Sequence, residues 1–260
     1  MLTQDQRLEA AAALDQADQQ RQVIPQVSKT YAGIELEDAY AIQNLWLEHR
    51  LARGARLIGR KIGLTSRAMQ MASNFNEPDY GFLTDDMVVA DGVQIEARRF
   101  LSPRLEVELA FVMGADLQGS GCTIADVMRA TEFVTPALEL IAYRTQVPRA
   151  ISDTIADNAA AGAMVLGGRM VRPFDQDIRW VGATLSKNGV IEESGVSAAV
   201  MGHPAAGIAW LVNKLARHGA GLRRGQYVLA GSFTRPVAVA PGDVIHADYG
   251  PLGAIGVRFI

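Results

Sequence analysis

The run Pro103-Arg104-Leu105-Glu106-Val107-Glu108-Leu109-Ala110-Phe111-Val112-Met113 sets two glutamates two residues apart inside an apolar, β-branched segment. In a strand, residues i and i+2 point to the same face, so Glu106 and Glu108 project side by side. Charges taken out of water cost several kcal/mol each unless something compensates them. Either this face is wet or a cation sits on it. Further along, Thr135-Pro136-Ala137-Leu138-Glu139-Leu140-Ile141 repeats the pattern with one glutamate in a hydrophobic run. Three carboxylates with no His or Cys beside them describe an all-oxygen site for a hard divalent ion such as Mg²⁺. The same spacing also fits a solvated strand edge whose glutamates pair with Arg104 or Arg144, and spacing alone does not choose between the two.

Two further ionisable groups flank the first glycine-rich stretch. Lys61 is embedded in Leu57-Ile58-Gly59-Arg60-Lys61-Ile62-Gly63-Leu64-Thr65-Ser66, which reads as a short strand. Apolar surroundings lower a lysine pKa by desolvation, whereas nearby carboxylates raise it. Lys61 is therefore an acid/base group, an anchor for a substrate carboxylate, or an ammonium paired with a strand carboxylate. Asp79 lies in Glu77-Pro78-Asp79-Tyr80-Gly81, a turn by composition, and is either a second acid/base group or a turn residue bonded to its own backbone. Asp157 and Asn158, polar among small residues, are candidates to support the metal from behind its ligands. The histidines read more simply: His203 starts a helix before Pro204, His246 alternates along a strand, and His49 and His218 lie on helix surfaces or ends. Trp46, Trp180 and Trp210 read as core.

The elements that must position these groups follow from pattern and punctuation. Thr3 with Gln6 forms a capping box ahead of a helix from Gln4 to about Gln22, stopped by Pro25. A second helix runs from about Leu36 to Arg53 and closes on Gly54. Short helices are expected at Arg67 to Ser73 and Thr123 to Glu132, while the period is ambiguous from Ile151 to Gly168. Ala183–Lys187 and Val190–Glu193 flank Asn188-Gly189, a hairpin signature. An amphipathic helix runs from Pro204 to Arg217, followed by strands at Tyr227–Ala230, Val237–Ala240, Val244–Tyr249 and Ile255–Phe259. Strand and helix do not alternate throughout and nothing repeats, which disfavours a doubly wound sheet or an eight-fold βα barrel. The expectation is an α+β fold, one domain over residues 1–260, with residues 1–85 a helical N-terminal portion packed on a β body.

Composition narrows the function class. Apolar content of 49% and charged content of 20% over 260 residues suit a globular protein with a sizeable core. The net charge of −3 and the lack of any basic cluster beyond three residues remove a nucleic-acid footprint. A single cysteine, Cys122, excludes an internal disulfide framework and reads as a passive thiol in a glycine-rich loop. No apolar run reaches the ~20 residues of a membrane span, and no signal core opens the chain, so cytoplasm is the expected location.

Taken in order, Gly59-Arg60-Lys61-Ile62-Gly63-Leu64-Thr65, Glu77-Pro78-Asp79-Tyr80-Gly81, Pro103-Arg104-Leu105-Glu106-Val107-Glu108, Pro136-Ala137-Leu138-Glu139, Asp153-Thr154-Ile155-Ala156-Asp157-Asn158 and Gly202-His203-Pro204 are a familiar set. End to end, the chain resembles the hydratase/decarboxylase branch of the fumarylacetoacetate hydrolase superfamily, whose members act late in meta-cleavage degradation of aromatic compounds. Gly231-Ser232-Phe233-Thr234-Arg235-Pro236 and His246-Ala247-Asp248-Tyr249-Gly250 look most like the hydratase side of that branch.

The resemblance implies a β-roll of mixed sheets flanked by helices, usually a homo-oligomer. It implies Glu106, Glu108 and Glu139 as Mg²⁺ ligands, with Mn²⁺ a possible substitute, and places Lys61 and Asp79 at pocket positions. Members that hydrolyse carbon–carbon bonds carry a lid His/Glu pair, and no histidine lies between His49 and His203 here. The implied activity is addition of water to a 2-oxoalkenedioate of the 2-oxohept-4-ene-1,7-dioate type, giving a 4-hydroxy-2-oxo acid. Alternatives are a 4-oxalocrotonate-type decarboxylase, a 2-hydroxypenta-2,4-dienoate hydratase, or a non-catalytic partner subunit. Arg60, Arg144 and Arg235 are candidates for a distal substrate carboxylate.

Overall fold

A computed structural model describes all residues 1–260. Two sheets form the body. In the larger, the strands run in the order Asp79–Thr84, Leu57–Gly63, Tyr227–Leu229, Arg104–Met113, Thr131–Ile141, Ala161–Leu166 and Val88–Ala90, with Val237–Ala238 added beside Arg104–Met113. Pairing is mixed: Leu57–Gly63 runs parallel to Tyr227–Leu229, and Val88–Ala90 parallel to Ala161–Leu166, while the remaining pairs are antiparallel. The second sheet orders Val190–Val196, Gly182–Lys187, Val244–Asp248, Ala254–Phe259 and Gln94–Ile95. The fold is α+β with mixed, curled sheets, as expected.

Alternation along the two longest strands fixes which side carries chemistry. Leu105, Val107 and Leu109 are fully or almost fully buried and enter the main apolar core, so Glu106 and Glu108 face the other way. The Pro204–Ala216 helix contributes Ile208, Leu211, Val212 and Leu215 to that core. It begins where His203 Nδ1 accepts the Ala205 N–H at 3.1 Å, a side-chain cap. The Gln4–Gln20 and Leu36–Ala52 helices pack together through Leu14, Ile42 and Trp46, and Phe82 and Ile155 join them to the body. The strands Leu57–Gly63 and Asp79–Thr84 already belong to the large sheet.

The Asn-Gly hairpin forms as its sequence dictates, with Asn188 and Gly189 at φ of 54° and 81°. Two expectations fail. Asp79, Tyr80 and Gly81 are not a turn but the start of a buried strand; the hydrogen-bonding row offered by Leu57–Gly63 outweighs the turn-like composition. Trp180 is 61% exposed rather than core, on a short loop outside the sheets. The ambiguous stretch resolves into a helix, Ile151–Ala156, a tight left-handed turn, and the strand Ala161–Leu166.

Candidate active site and metal centre

Glu106 stands directly across from Glu139 in the antiparallel register, and Glu108 across from Ala137. Like charges opposite one another destabilise a sheet, and here they are also buried: Glu108 and Glu139 expose nothing to solvent. The carboxylate oxygens of Glu106, Glu108 and Glu139 come within 4.8 Å of one another. Burial, followed by repulsion from Glu139, pushes the Glu106 carboxyl up to about 8 and the Glu108 carboxyl well above its ordinary range. Hydrogen bonding relieves little of this. Glu108 Oε2 accepts the Gly231 N–H at 2.8 Å, whereas Glu108 Oε1 and both Glu139 oxygens have no hydrogen-bond donor. Neither Arg104 nor Arg144 pairs with them. Buried acceptors in that condition cost stability unless something positive fills the space between them, and an all-oxygen set of this kind fits a hard divalent cation.

Lys61 lies on the same face, two strands away in the sheet, and is 3% exposed. Its Nζ stands 3.2 Å from Glu139 Oε1 and donates to the Ala159 carbonyl at 3.0 Å. Burial pulls its pKa down, but Glu139, Asp79, Glu106 and Glu108 together outweigh burial and hold the ammonium above its usual range. Asp79, 2% exposed, faces Gly63 across the strand pair. Its burial raises its pKa, partly offset by Lys61, and Oδ1 has no partner. Gly63 has to be glycine: a Cβ there would strike the Asp79 carboxylate and crowd Lys61 Nζ.

The carbonyl that receives Lys61 comes from an uncommon backbone. Asn158, Ala159 and Ala160 take φ of 53°, 49° and 60° in succession without a glycine among them, at roughly 1–2 kcal/mol each. Asn158 pins the turn to the neighbouring strand, accepting the Phe82 N–H at 2.7 Å and donating to the Phe82 carbonyl at 3.0 Å. Asp157 holds the other side, bound by Arg144 and by Arg149. Asp157 and Asn158 thus brace the turn and do not touch the glutamates. Sequence reading missed Ala159, because a backbone carbonyl leaves no side-chain signal. It also missed Arg149, whose charge reaches Asp79 and whose guanidinium lies 4.0 Å from the Tyr143 ring.

Glu106 is the member of the trio that opens outward, onto a cavity of about 280 Å³ between the Gly63–Met69 segment and residues 232–235. A roomier groove of about 690 Å³ lies among Asp18, Arg50 and Arg53 but contains none of the clustered carboxylates. His246 is exposed on its strand and Cys122 sits in a surface loop, both away from the cluster.

Residues 56–260 match the family described as fumarylacetoacetate (FAA) hydrolase C-terminal. Over 257 residues the chain is 52% identical to the 2-oxo-hept-4-ene-1,7-dioate hydratase of Escherichia coli, with 96% of each chain covered. It is 38% identical over 260 residues to the 4-oxalocrotonate decarboxylase of Pseudomonas sp. (strain CF600), covering 100% of this chain and 98% of that one. The solved 4-oxalocrotonate decarboxylase from Pseudomonas putida G7, complexed with magnesium and adipate, superimposes with a TM-score of 0.98 at 35% identity, covering 100% of this chain and 99% of that one.

Proposed function

Because the chain belongs to the fumarylacetoacetate hydrolase family, we propose that it is a Mg²⁺-dependent hydratase adding water to a 2-oxoalkenedioate of the 2-oxohept-4-ene-1,7-dioate type. The product is a 4-hydroxy-2-oxo acid. The observation behind this is the buried trio of Glu106, Glu108 and Glu139 beside Lys61 and Asp79. The trio would hold the cation, with its unpartnered oxygens as ligands, and the ion would supply Lewis acidity toward the oxygens of a 2-oxo acid.

The chain's own groups divide the remaining work. Lys61 Nζ spends one N–H on Ala159 and ion-pairs with Glu139 Oε1 at 3.2 Å without a hydrogen bond, which leaves a donor for the substrate. Its raised pKa keeps it charged throughout. Asp79 is the proton shuttle: burial favours its neutral form, so Oδ1 can give a proton to a substrate carbon, and the Lys61 charge stabilises the carboxylate left behind. The C4=C5 alkene first moves into conjugation with the 2-oxo group as C3 loses a proton and C5 gains one. Water then adds across C3=C4, hydroxyl to C4 and hydrogen to C3, so the net gain is OH at C4 and H at C5. Burial of Lys61 and Asp79 keeps bulk water from these transfers.

Decarboxylation of a 4-oxalocrotonate-type acid is the second reading, favoured by the TM-score of 0.98 to a decarboxylase of that name. Purified protein given Mg²⁺ and a 2-hydroxydienedioate separates the two: a hydrated product supports the hydratase, and released CO₂ with a product one carbon shorter overturns it. Residues 1–260 act as one catalytic domain in this reading, since Phe82 and Ile155 share an apolar cluster with the N-terminal helices. A homo-oligomer is proposed as well, consistent with Phe174 and Trp180 exposing 70% and 61% of their surfaces.

A further inference from the structure

We infer that Arg235 binds the distal carboxylate of the substrate and thereby selects dioates over monoacids. The inference rests on the proposed function, which puts the 2-oxo head of the substrate at Glu106. Glu106 and Arg235 line the same cavity, and Arg235 is the sole cation among the residues lining it. The other candidate arginines, and Arg149, are committed or point elsewhere. Arg60 neighbours Lys61 in the strand and so projects from the opposite face. Arg144 is buried on Asp157 and Asp18, and Arg149 bonds Asp157 and stacks on Tyr143.

Arg235 is also poised to accept a carboxylate. Its Nε and Nη2 both reach a single oxygen, Oε1 of Glu193, at 2.8 and 2.7 Å. The Nη1 hydrogens and the outer Nη2 hydrogen remain free on a side chain that is 83% exposed, and those are the donors of a bidentate guanidinium–carboxylate fork. The position is held in register with the glutamates. Phe233 N and Ser232 Oγ donate to the Val107 carbonyl at 3.1 and 3.2 Å, and Thr234 Oγ1 accepts the Val107 N–H at 3.3 Å. Val107 lies between Glu106 and Glu108, so the segment bearing Arg235 is fastened to the backbone that carries the proposed metal ligands. An unsupported surface arginine would have no such tie.

Calorimetric titration with saturating Mg²⁺ tests this, using 2-oxoheptanedioate and 2-oxoheptanoate. These saturated acids share the 2-oxo head, differ only at the far end, and carry no alkene to hydrate. Wild type should bind the dioate roughly 10- to 100-fold more tightly, the range for hydrogen bonds to a charged group. Arg235→Met should bring the two affinities together with that for 2-oxoheptanoate unchanged, and its melting curve should match wild type because the side chain is exposed. Equal binding of both acids by wild type, or a preference that survives in Arg235→Met, overturns the assignment and leaves the proposed function standing. If wild type binds neither acid in the presence of Mg²⁺, the proposed head-group site falls, and the Arg235 assignment falls with it.

Discussion

Two clusters of buried charge lie on either side of one backbone turn, and they are built on opposite principles. Arg144 is answered at every nitrogen. Its Nε and backbone N–H reach Asp157, Nη1 reaches Asp18 at 3.1 Å, and Nη2 donates to the carbonyls of Ala142 and Ala161 at 3.0 and 2.9 Å. The guanidinium lies 4.9 Å from the Trp46 ring. Around Glu139 little is answered: four carboxyl groups face one ammonium, and oxygens of Asp79, Glu108 and Glu139 lack any donor. A saturated network rigidifies a fold. A starved one persists only where a ligand completes it. The turn at Asn158–Ala160 joins them: the saturated side holds it in its strained shape, and the starved side uses its Ala159 carbonyl to position Lys61.

The sharpest way to break this contrast is to remove one member from each cluster. In the starved cluster, Glu108→Gln should reduce activity to background and abolish Mg²⁺ binding by calorimetry, yet the metal-free protein should melt no lower than wild type, because a repelled charge has gone and Gln can still accept the Gly231 N–H. A large fall in melting temperature would mean that the trio is structural. Lys61→Met and Asp79→Asn should each lower kcat by about 10² to 10⁴, the usual worth of an acid–base group, with Mg²⁺ affinity little changed. Turnover within about threefold of wild type, well inside that range, would remove both from the mechanism and leave only the metal site.

In the saturated cluster the effect should move from activity to stability. Asp157→Ala leaves Arg144 buried with its principal partner gone, which costs about 3–5 kcal/mol, read by urea denaturation. Activity at low temperature should fall only as far as the Ala159 turn loosens. If Asp157→Ala melts like wild type but has lost its turnover, bracing and chemistry are not divided between the two clusters.

The same division separates what the sequence carries from what only the fold supplies. Glu106 and Glu108 were legible because a period of two is imposed by strand geometry, and an apolar run makes a carboxylate conspicuous. That Glu139 meets them across the sheet depends on register, and no local pattern encodes the pairing of Glu106 with Glu139. Lys61 was legible as a lysine out of place, but which effect would win on its pKa was not, since that depends on four carboxyl groups brought in from three other strands. Asp79 reads as part of a turn in the sequence: Glu-Pro-Asp-Tyr-Gly has turn chemistry, and only the partner strand turns its last three residues into sheet. The Asn158–Ala160 turn was invisible, because two alanines with positive φ contradict every local preference and are held by Asp157, Asn158 and Arg144. Arg235 was visible as a residue but could not be assigned to a cavity until the residues around it were tied to Val107.

The smallest expected effect is the most diagnostic, because Glu106 and Asp15, an ion-paired carboxylate outside both clusters, should respond to pH with opposite sign. Glu106 has its folded pKa pushed up to about 8 from an ordinary 4.5. The folded metal-free protein therefore holds that proton more tightly than the unfolded chain does. The associated stability is present below about pH 4.5 and is lost as pH rises toward 8. Asp15 is the reverse case. Burial raises its pKa, but Arg53 and the Trp46 indole N–H outweigh burial and leave it below the ordinary 3.8. Its contribution is present above that value and is lost as pH falls through the depressed pKa. With chelator present, melting temperature should thus decline on the alkaline side, and Glu106→Gln should flatten that limb while leaving the acid limb alone. Asp15→Asn should flatten the acid limb only. Arg53 is 46% exposed, so solvent screening keeps this second change within about 1 kcal/mol, or about 2–4 °C. Should Glu106→Gln leave the alkaline limb as steep as in wild type, the carboxylates are not crowded in the metal-free protein, and the contrast between the two clusters loses its physical basis.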